Sequence, residues 1–540
     1  MNVLNMKKWG YTAVFLILGI VVCAPLYARA GEMKPSEYVV LVRQELTKDR
    51  EWMKVVHELA DKHLAEVVVF EKHPEEVAGE LRTIFPRYVA LIEKPENITR
   101  EYVRKMYKLS REMDGDIFQD FLWGVITGYD AESALRMVRD AETPLVIKTA
   151  MSIDAGLENY SGFEQSTALE HTLYWKTLWN EDGSEKGRLY SAIWRERRKQ
   201  EILKTDTVPY SDLASKFVGE YRRLNPDLLV AYSDFESGYI RFHDHAVKGK
   251  KGRLSIGLEK QDSVYIKLPG NVRQMLYKKQ DSGYVALPEM NARRVGLNIG
   301  HNGGVPSDVL LACLKSGNMS ALAGSIRSSW HGQSAWGTWK LWMANPGRFS
   351  FGEAVYLNQQ FILSSLYDWN PKYLEIDYPY TEYVTKDYLK QRAEVAREIG
   401  IGDDEVLLNA MGYLSERDIF VYYGDPAWNA RLSGTPENVH YKVTSRQKGK
   451  KYILTIRTDE HYRRQDMTGN YFREKAETFR PQAIGRLPFV YFFPRRLKNP
   501  HLTKELDFEG DVELDENFLF IHNTFWEPGK TYTIVLSADK

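Results

Sequence analysis

Residues 295–304, Val-Gly-Leu-Asn-Ile-Gly-His-Asn-Gly-Gly, combine a short apolar run with a turn of small residues. The first five residues, Val295 to Ile299, predict a buried strand because apolar side chains follow one another without a charge. The glycines that follow predict a tight turn at the end of that strand. Backbone N–H groups in such a turn can point at an anion or at a developing oxyanion. The stretch therefore predicts a candidate site at the carboxyl end of a strand, where open α/β sheets bind their ligands.

The first part of the chain alternates between strand-like and helix-like segments. Short apolar runs at 38–42, 67–70 and 88–92 predict buried strands. Between them, residues 52–63 and 74–84 carry apolar side chains at spacings of three and four among Lys and Glu, which is typical of helices that cover a sheet. Crossovers of this kind produce parallel neighbours. We therefore predict an α/β fold with a doubly wound, mostly parallel sheet.

Later regions of the chain show other patterns. Residues 151–226 predict a mainly helical insert, with 164–178 as its clearest helix, and the basic, glycine-bearing stretch 241–270 predicts a loop or hairpin beside the site. After Pro436, short alternating runs separated by turns predict a β-sandwich. The predicted organisation is a signal peptide at 1–30, an N-terminal α/β subdomain at 31–150, a second subdomain with the helical insert at 151–435 and a β-sandwich domain at 436–540.

The first thirty residues predict export. Lys7 and Lys8 precede an apolar run from Thr12 to Ala24, and the segment closes on Ala28-Arg29-Ala30. This is the pattern of a secretory signal cleaved after Ala30. The apolar run is shorter than the roughly 20 residues that cross a bilayer, so no stable membrane span is expected after cleavage. We expect a periplasmic, cell-surface or secreted protein.

Charge and cysteine content narrow the classes of function. The chain has 73 basic and 73 acidic residues, and neither sign forms a long block, which argues against a nucleic-acid partner. Of the two cysteines, Cys23 lies in the signal segment, so the mature chain keeps Cys313 alone and can form no internal disulfide. Cys313 lies in the apolar stretch 309–314, which predicts a buried packing thiol.

Two polar stretches add candidate chemistry. In Phe-His-Asp-His-Ala at 242–246, a histidine just past a strand is placed to act as a base at the sheet edge. His243 and His245 could also hold a metal, but no companion metal motif is present, and we predict neither a metal nor a cofactor. Residues 323–332, Ala-Gly-Ser-Ile-Arg-Ser-Ser-Trp-His-Gly, predict a polar loop that could form a wall of the same cleft.

Taken in order, these segments resemble the gingipain family of cysteine peptidases, whose core is similar to that of caspases. The resemblance spans roughly residues 88–431 and rests on the histidine loop at 242–246, the turn at 300–304, the loop at 323–332, Tyr-Gly-Asp-Pro-Ala-Trp at 423–428, and similar segments at 123–130 and 346–354. It implies a caspase-like fold and a peptide or protein as substrate or partner. It also implies an immunoglobulin-like domain after the core, which the β-rich end matches.

The resemblance further implies roles for individual residues. His245 resembles the family histidine that assists a cysteine at the end of the next core strand. The place of that cysteine falls on Asn302, or on His301 if the turn is aligned one residue earlier. Neither side chain can act as a thiolate nucleophile. Activity by the family mechanism is therefore not expected.

Three functions remain open on this basis. The leading hypothesis is an exported gingipain-like peptidase homologue, degenerate at the nucleophile, that acts in peptide binding or envelope assembly. The second is an active peptidase that uses His245 with a relocated nucleophile, either Cys313 or a serine of the Ser325–Ser329 loop. The third is a structural or adhesive envelope protein that recognises partners through its β-sandwich.

Overall fold

A computed structural model describes residues 37–153, 162–181, 185–199, 201–231, 239–242, 245–267, 273–327, 329, 333–376, 378, 390, 394–395, 397, 412–434, 440–463, 488–522 and 526–539. The predicted signal peptide at 1–30, and His243 and Asp244 of the histidine loop, lie outside these residues.

The strands are β1 (Tyr38–Arg43), β2 (Glu66–Phe70), β3 (Tyr88–Ile92), β4 (Leu122–Ile126), β5 (Leu145–Ile147), β6 (Thr149–Ile153), β7 (Gln165–Trp179), β8 (Glu185–Arg198), β9 (Glu201–Pro209), β10 (Leu228–Ala231), β11 (Tyr239–Phe242), β12 (His245–Lys250), β13 (Arg253–Lys267), β14 (Arg273–Ala286), β15 (Arg294–Asn298), β16 (Met319–Ser325), β17 (Phe420–Tyr423), β18 (Ala430–Leu432), β19 (Tyr441–Lys448), β20 (Lys451–Thr458), β21 (Phe489–Phe492), β22 (Lys498–Leu502), β23 (Asp511–Leu514), β24 (Phe518–His522) and β25 (Thr531–Asp539). The α-helices are α1 (Arg50–His63), α2 (Ala78–Ile84), α3 (Arg100–Ser110), α4 (Ala131–Asp140), α5 (Tyr210–Leu224), α6 (Asp308–Lys315), α7 (Gln333–Ala344) and α8 (Phe351–Trp369).

A twelve-stranded mixed sheet forms the centre of the fold, in the order β2-β1-β3-β4-β17-β16-β15-β10-β6-β7-β8-β9. Parallel ladders join β2 to β1, β1 to β3 and β3 to β4, and a second parallel series runs from β16 through β15, β10 and β6 to β7. Strand β1 is buried on both faces, which explains its uninterrupted apolar sequence. The predicted α/β fold with a mostly parallel sheet is confirmed.

Helices cover both faces of this sheet. One buried apolar cluster includes side chains of α1, α3, α4, α5 and α6, and a second includes side chains of α7 and α8. Helix α1 shows how the sequence sets such an element. Asp49 caps its first turn by accepting hydrogen bonds from the amides of Glu51 and Trp52, and the helix ends where Leu64 adopts a left-handed conformation with φ 50°.

The prediction of a mainly helical insert is wrong for residues 164–178. These residues form β7, which pairs antiparallel with β8, and β8 in turn pairs with β9. Thr167, Thr172, Tyr174 and Trp175 are β-branched or aromatic residues, and such residues favour a strand. Helix α5, at Tyr210–Leu224, is the described helix of this region.

The predicted hairpin at 241–270 is confirmed as part of a separate sheet. Strands β11, β12, β13 and β14 form an antiparallel sheet in that order. Its strand β12 lies against α6, the helix that follows the turn at 300–304: a Cβ on Gly249 would lie 2.0 Å from the Asp308 carbonyl oxygen. Only glycine allows the two backbones to approach this closely.

The C-terminal region contains two antiparallel sheets, β19-β20-β25-β22 and β21-β24-β23. They share one apolar core, to which β20 contributes Leu454, β25 contributes Leu536, and β24 contributes Leu519 and Ile521. Phe518, on the other face of β24, packs against Tyr356 of α8 with ring centroids 6.2 Å apart. Two facing antiparallel sheets agree with the predicted β-rich end, and the immunoglobulin-like assignment stays a prediction.

Among the helices of the described ranges, none is both long enough and apolar enough to cross a bilayer.

Candidate functional site

The carboxyl ends of the central strands meet at one edge of the sheet. Arg100, in the first turn of the helix that follows β3, donates a hydrogen bond of 2.8 Å from Nε to the carbonyl of Ile326, just past β16. Strand β15 lies beside β16 and pairs with it in parallel. The turn at 300–304 therefore leaves the sheet at this edge, where reaction and ligand sites of α/β sheets lie.

The turn is packed so closely that glycine is required. A Cβ on Gly303 would lie 1.5 Å from Nδ2 of Asn298, and a Cβ on Gly304 would lie 2.3 Å from the carbonyl oxygen of Gly324. Both distances are far below van der Waals contact. The small residues that marked the turn in the sequence therefore hold it against the end of β15 and against β16.

Internal hydrogen bonds occupy three of the five amides of the turn. The Gly300 N–H binds Oδ1 of Asn298 at 3.0 Å, the Asn302 N–H binds the carbonyl of Arg327 at 3.2 Å, and the Gly304 N–H binds the carbonyl of Ser325 at 2.8 Å. The amides of His301 and Gly303 make no backbone hydrogen bond within the described ranges. An oxyanion-binding role therefore rests on those two amides.

Asn302 occupies the position to which the resemblance assigns the nucleophile. It adopts a left-handed conformation with φ 56° and is 7% exposed. Its Oδ1 atom is buried and has no hydrogen-bond partner among the described residues. An amide oxygen is a hydrogen-bond acceptor and not a usable nucleophile, so Asn302 can orient a ligand but cannot attack one.

His301 is bound to the loop that follows β16. Its Nδ1 accepts the N–H of Ser329 at 3.1 Å, and the Ser329 Oγ lies 3.4 Å from the same nitrogen. Because the backbone amide already uses the lone pair of Nδ1, this nitrogen cannot at the same time accept a proton from the hydroxyl. The arrangement fixes the ring, leaving Nε2 to carry the proton and act as a donor.

His245 lies at the start of β12, opposite Phe242 on one side and Leu258 on the other, and is 1% exposed. In the part of the chain that is described, it is not hydrogen-bonded to His301 or Asn302, whose contacts are those given above. Gly249, the residue that touches the start of α6, lies four positions further along β12, which is about 13 Å of extended strand. A role for His245 as a base at the turn stays a prediction.

Cys313 is a buried residue of α6. It is 2% exposed, and burial raises the pKa of its thiol to about 12. A thiol with this pKa is almost entirely protonated near neutral pH, whereas the thiolate is the reactive form. The prediction that Cys313 is a packing residue is confirmed.

Comparisons with known proteins give a distant likeness in fold only. No family model matches the chain, and no curated protein matches it. Among solved structures, the Arg-specific cysteine proteinase gingipain R (RgpB) shares 8% identity over 92% of this chain and 93% of its own, with a TM-score of 0.34. The complex of Porphyromonas gingivalis RgpB pro- and mature domains shares 8% identity over 93% of each chain, with a TM-score of 0.34. A likeness at this level fixes neither a family nor an activity.

Asp425, which the sequence marks only as part of the resembling segment 423–428, is the centre of a buried charge cluster. The carboxylate is fully buried. Its Oδ1 accepts hydrogen bonds from the Tyr38 hydroxyl at 2.9 Å and from the Ala427 amide at 3.0 Å. Its Oδ2 accepts one from Lys62 Nζ at 2.9 Å and lies 2.6 Å from His63 Nε2. Burial alone would raise the pKa of Asp425, but the charges and hydrogen bonds of His63 and Lys62 outweigh it and hold the pKa far below its usual value. The cluster joins β1 and α1 to the segment after β17, and Asp425 lies more than 360 positions from Tyr38, Lys62 and His63, so no local signal could reveal it.

A second group that the sequence analysis missed is acidic. Carboxylate oxygens of Asp114, Asp116 and Glu516 lie within 4.8 Å of one another, a spacing that suits a hard divalent cation. Asp120 and Asp515 lie beside them, each 2% exposed. Burial and the charges of Asp114 and Asp116 raise the pKa of Asp120 to about 9. The pattern Asp-Gly-Asp at 114–116 is visible in the sequence, but its meeting with residues 515–516 is not.

Proposed function

We propose that this chain is an exported protein with a peptidase-like site that binds a peptide or protein segment without cleaving it by a cysteine mechanism. The observation that carries the proposal is the turn at 300–304. The turn follows β15 and is packed so closely that Gly303 and Gly304 leave no space for a Cβ, and Asn302 stands where the family resemblance expects the nucleophile. Cys313, the one cysteine outside the predicted signal segment, is buried with a raised pKa.

The chemistry of the turn favours binding over turnover. His301 is fixed by Ser329 with Nε2 as a donor, and its own amide and that of Gly303 add two more donors. A peptide carbonyl is an acceptor that such donors can hold. Cleavage needs in addition a nucleophile of high basicity within reach of the same carbonyl, and neither Asn302 nor the His301 ring supplies one. Export of the protein rests on the predicted signal at 1–30.

The direct test of binding compares variants of the turn. The protein without residues 1–30 is screened against a mixed peptide library, and the best binder is measured by fluorescence anisotropy. His301→Ala should weaken binding at least about tenfold, because a buried ligand carbonyl would lose a hydrogen bond worth about 1.5 kcal/mol. His57→Ala, at an exposed position of α1, is the matched control and should bind like wild type. Equal affinity of all three proteins would contradict the proposed site.

The role of His245 is tested by adding the missing thiol. In Asn302→Cys, iodoacetamide should alkylate the new cysteine and leave buried Cys313 unmodified. If His245 acts at this position, it lowers the pKa of the new thiol, so the pH at which alkylation reaches half its maximal rate should rise in the double variant Asn302→Cys, His245→Ala. An identical pH profile would separate His245 from the turn. Robust peptide hydrolysis by the unmodified protein, abolished by His245→Ala, would refute the proposal that the protein does not cleave peptides.

A serine-dependent hydrolase is the second candidate, favoured by the 3.4 Å approach of Ser329 Oγ to His301 Nδ1. A small movement of the loop would exchange the backbone N–H for the hydroxyl at that nitrogen. Stoichiometric labelling of Ser329 by a fluorophosphonate in the folded protein, lost in His301→Ala, would favour this candidate. Absence of labelling at saturating probe would exclude it.

A further inference from the structure

A small cavity lies between α8 and the centre of the sheet, apart from the turn at 300–304. Its volume is about 20 Å³. Its apolar wall is formed by residues such as Leu122, Trp123 and Pro426, and its polar wall includes Gln119 and Gln359. Each glutamine is 2% exposed. The cavity is therefore an interior space with two amide side chains at its surface.

The two side-chain amides leave three buried polar atoms without a partner among the described residues. Neither Nε2 nor Oε1 of Gln359 has a hydrogen bond, and Nε2 of Gln119 has none. Two tyrosines of the cavity wall direct their hydroxyls elsewhere, because Tyr107 donates to the carbonyl of Phe420 and Tyr422 donates to the carbonyl of Asp425. A buried polar atom without a partner costs about 1–3 kcal/mol, so a bridging group between Nε2 of Gln119 and the Gln359 amide is expected.

The position of Gln119 is fixed by other bonds. Its backbone N–H binds Oε1 of Gln360 at 3.0 Å, and its carbonyl accepts Nε2 of Gln360 at 2.9 Å and the hydroxyl of Tyr356 at 2.6 Å. These three bonds hold the segment before β4 against α8. The Gln119 side chain is thereby presented to the cavity by a rigid backbone.

We propose that this cavity binds one water molecule, which accepts a hydrogen bond from Nε2 of Gln119 and donates one to Oε1 of Gln359. A cavity needs roughly 10–15 Å³ and two to four polar partners to hold a water, and the volume and both amides meet these conditions. The volume is close to the minimum for one water and far below that of a pocket for a small-molecule ligand. The bridge makes the water a structural link between α8 and β4, in addition to the direct bonds of Gln360 and Tyr356.

A crystal structure that resolves ordered waters is the first test. One density peak should lie about 2.6–3.2 Å from Nε2 of Gln119 and from the Gln359 amide. A cavity without density, or a direct hydrogen bond between the two glutamine side chains, would overturn the proposal.

The second test is made in solution and measures the direction in which the melting temperature, Tm, changes when Gln359 is substituted. If the water is present, Gln359→Met leaves Nε2 of Gln119 unsatisfied but also removes the unpartnered Nε2 of Gln359, so the two effects offset each other and Tm should stay within about 1 °C of wild type. If no water binds, the same change removes two unsatisfied polar atoms, and Tm should rise. Gln44→Met, at an exposed position, controls for the change of residue type and should leave Tm unchanged. A Tm for Gln359→Met that rises beyond this range refutes the water.

Discussion

Replacing Asp120 by asparagine should stabilise the protein near neutral pH. The carboxyl group is buried, and with the charges of Asp114 and Asp116 this burial raises its pKa to about 9, against about 3.9 in an unfolded chain. At pH 7 the carboxyl group is ionised in the unfolded chain and protonated in the folded protein, so folding must take up a proton. This proton uptake lowers the free energy of unfolding by about 1.4 kcal/mol for each pH unit above the unfolded pKa, which is roughly 4 kcal/mol at pH 7 as an upper limit. An asparagine folds without that proton.

The substitution also keeps the local hydrogen bond. Oδ2 of Asp120 accepts the Met113 amide at 3.1 Å, and the asparagine oxygen can do the same while its NH2 group faces the Asp114 carboxylate. Because solvent screens part of the repulsion, we expect a gain of about 1–3 kcal/mol in the free energy of unfolding at pH 7. The gain should nearly vanish near pH 4, where the unfolded state is also protonated, and grow as the pH rises toward about 9.

Urea denaturation with a chelator present, at about pH 4.5 and pH 7.5, measures the effect. The chelator matters because a divalent cation at Asp114, Asp116 and Glu516 would neutralise the repulsion. Asp61→Asn, at an exposed position of α1, is the control and should change the free energy of unfolding by less than about 0.5 kcal/mol at either pH. A loss of stability at pH 7.5, or the same difference at both pH values, would show that Asp120 does not carry the burial cost assigned to it.

Three further substitutions test the packing of charged and sulfur groups. Asp425→Asn should lower the free energy of unfolding by about 3–5 kcal/mol at neutral pH, measured by chemical denaturation, because it leaves Lys62 without its buried counter-charge. The folded-state pKa of Asp425 lies below the unfolded value, so this loss should shrink as the pH drops below about 4. A loss that does not depend on pH would contradict the ionic network. Arg294→Met should change stability by less than about 1 kcal/mol, because the fully buried guanidinium makes no ion pair in the described ranges. Its contacts are a hydrogen bond of 2.8 Å to Asn225 Oδ1, longer ones of 3.4 and 3.5 Å to the Ala292 carbonyl, and the Tyr221 ring at 5.2 Å. A loss as large as that of Asp425→Asn would reveal an unrecognised counter-charge. In the native protein Cys313 should resist iodoacetamide at pH 7.5 and react only on unfolding, because burial raises the pKa of its thiol to about 12. Mass spectrometry follows the labelling, and fast labelling of the native protein would refute the burial of Cys313.

The central sheet was predictable because its strands carry their own signal. Strand β1 is buried on both faces, so its sequence is apolar without interruption, and the helix that follows begins at a capping aspartate, Asp49. Strand β7 lies in a long hairpin near the edge of the sheet, where fewer positions must be apolar. Its pattern of polar and apolar residues therefore fits a helix as well as a strand.

The site was predictable only as far as one strand and one turn. Gly303 and Gly304 predicted a tight turn, and the structure shows what each glycine lies against: Gly303 lies against Nδ2 of Asn298, and Gly304 against the carbonyl of Gly324. The pairing of His301 with Ser329 was not predictable, because it depends on the distance between two loops that leave neighbouring strands. The same is true of His245, whose place on β12 depends on how a hairpin lies across α6.

The Asp425 cluster and the turn at 300–304 bury polar groups in different ways, and the difference bears on the proposed function. At Asp425 the burial of a carboxylate is compensated by Lys62 and His63, so the cluster stabilises the fold and leaves no group free for chemistry. At the turn, by contrast, Oδ1 of Asn302 has no partner among the described residues although the residue is 7% exposed. An unsatisfied acceptor at the carboxyl edge of a sheet costs stability, and folds retain that cost at sites where a ligand supplies the missing donor. A peptide N–H is such a donor, so the unpartnered Oδ1 of Asn302 is the atom at which the proposed peptide binding is most directly tested.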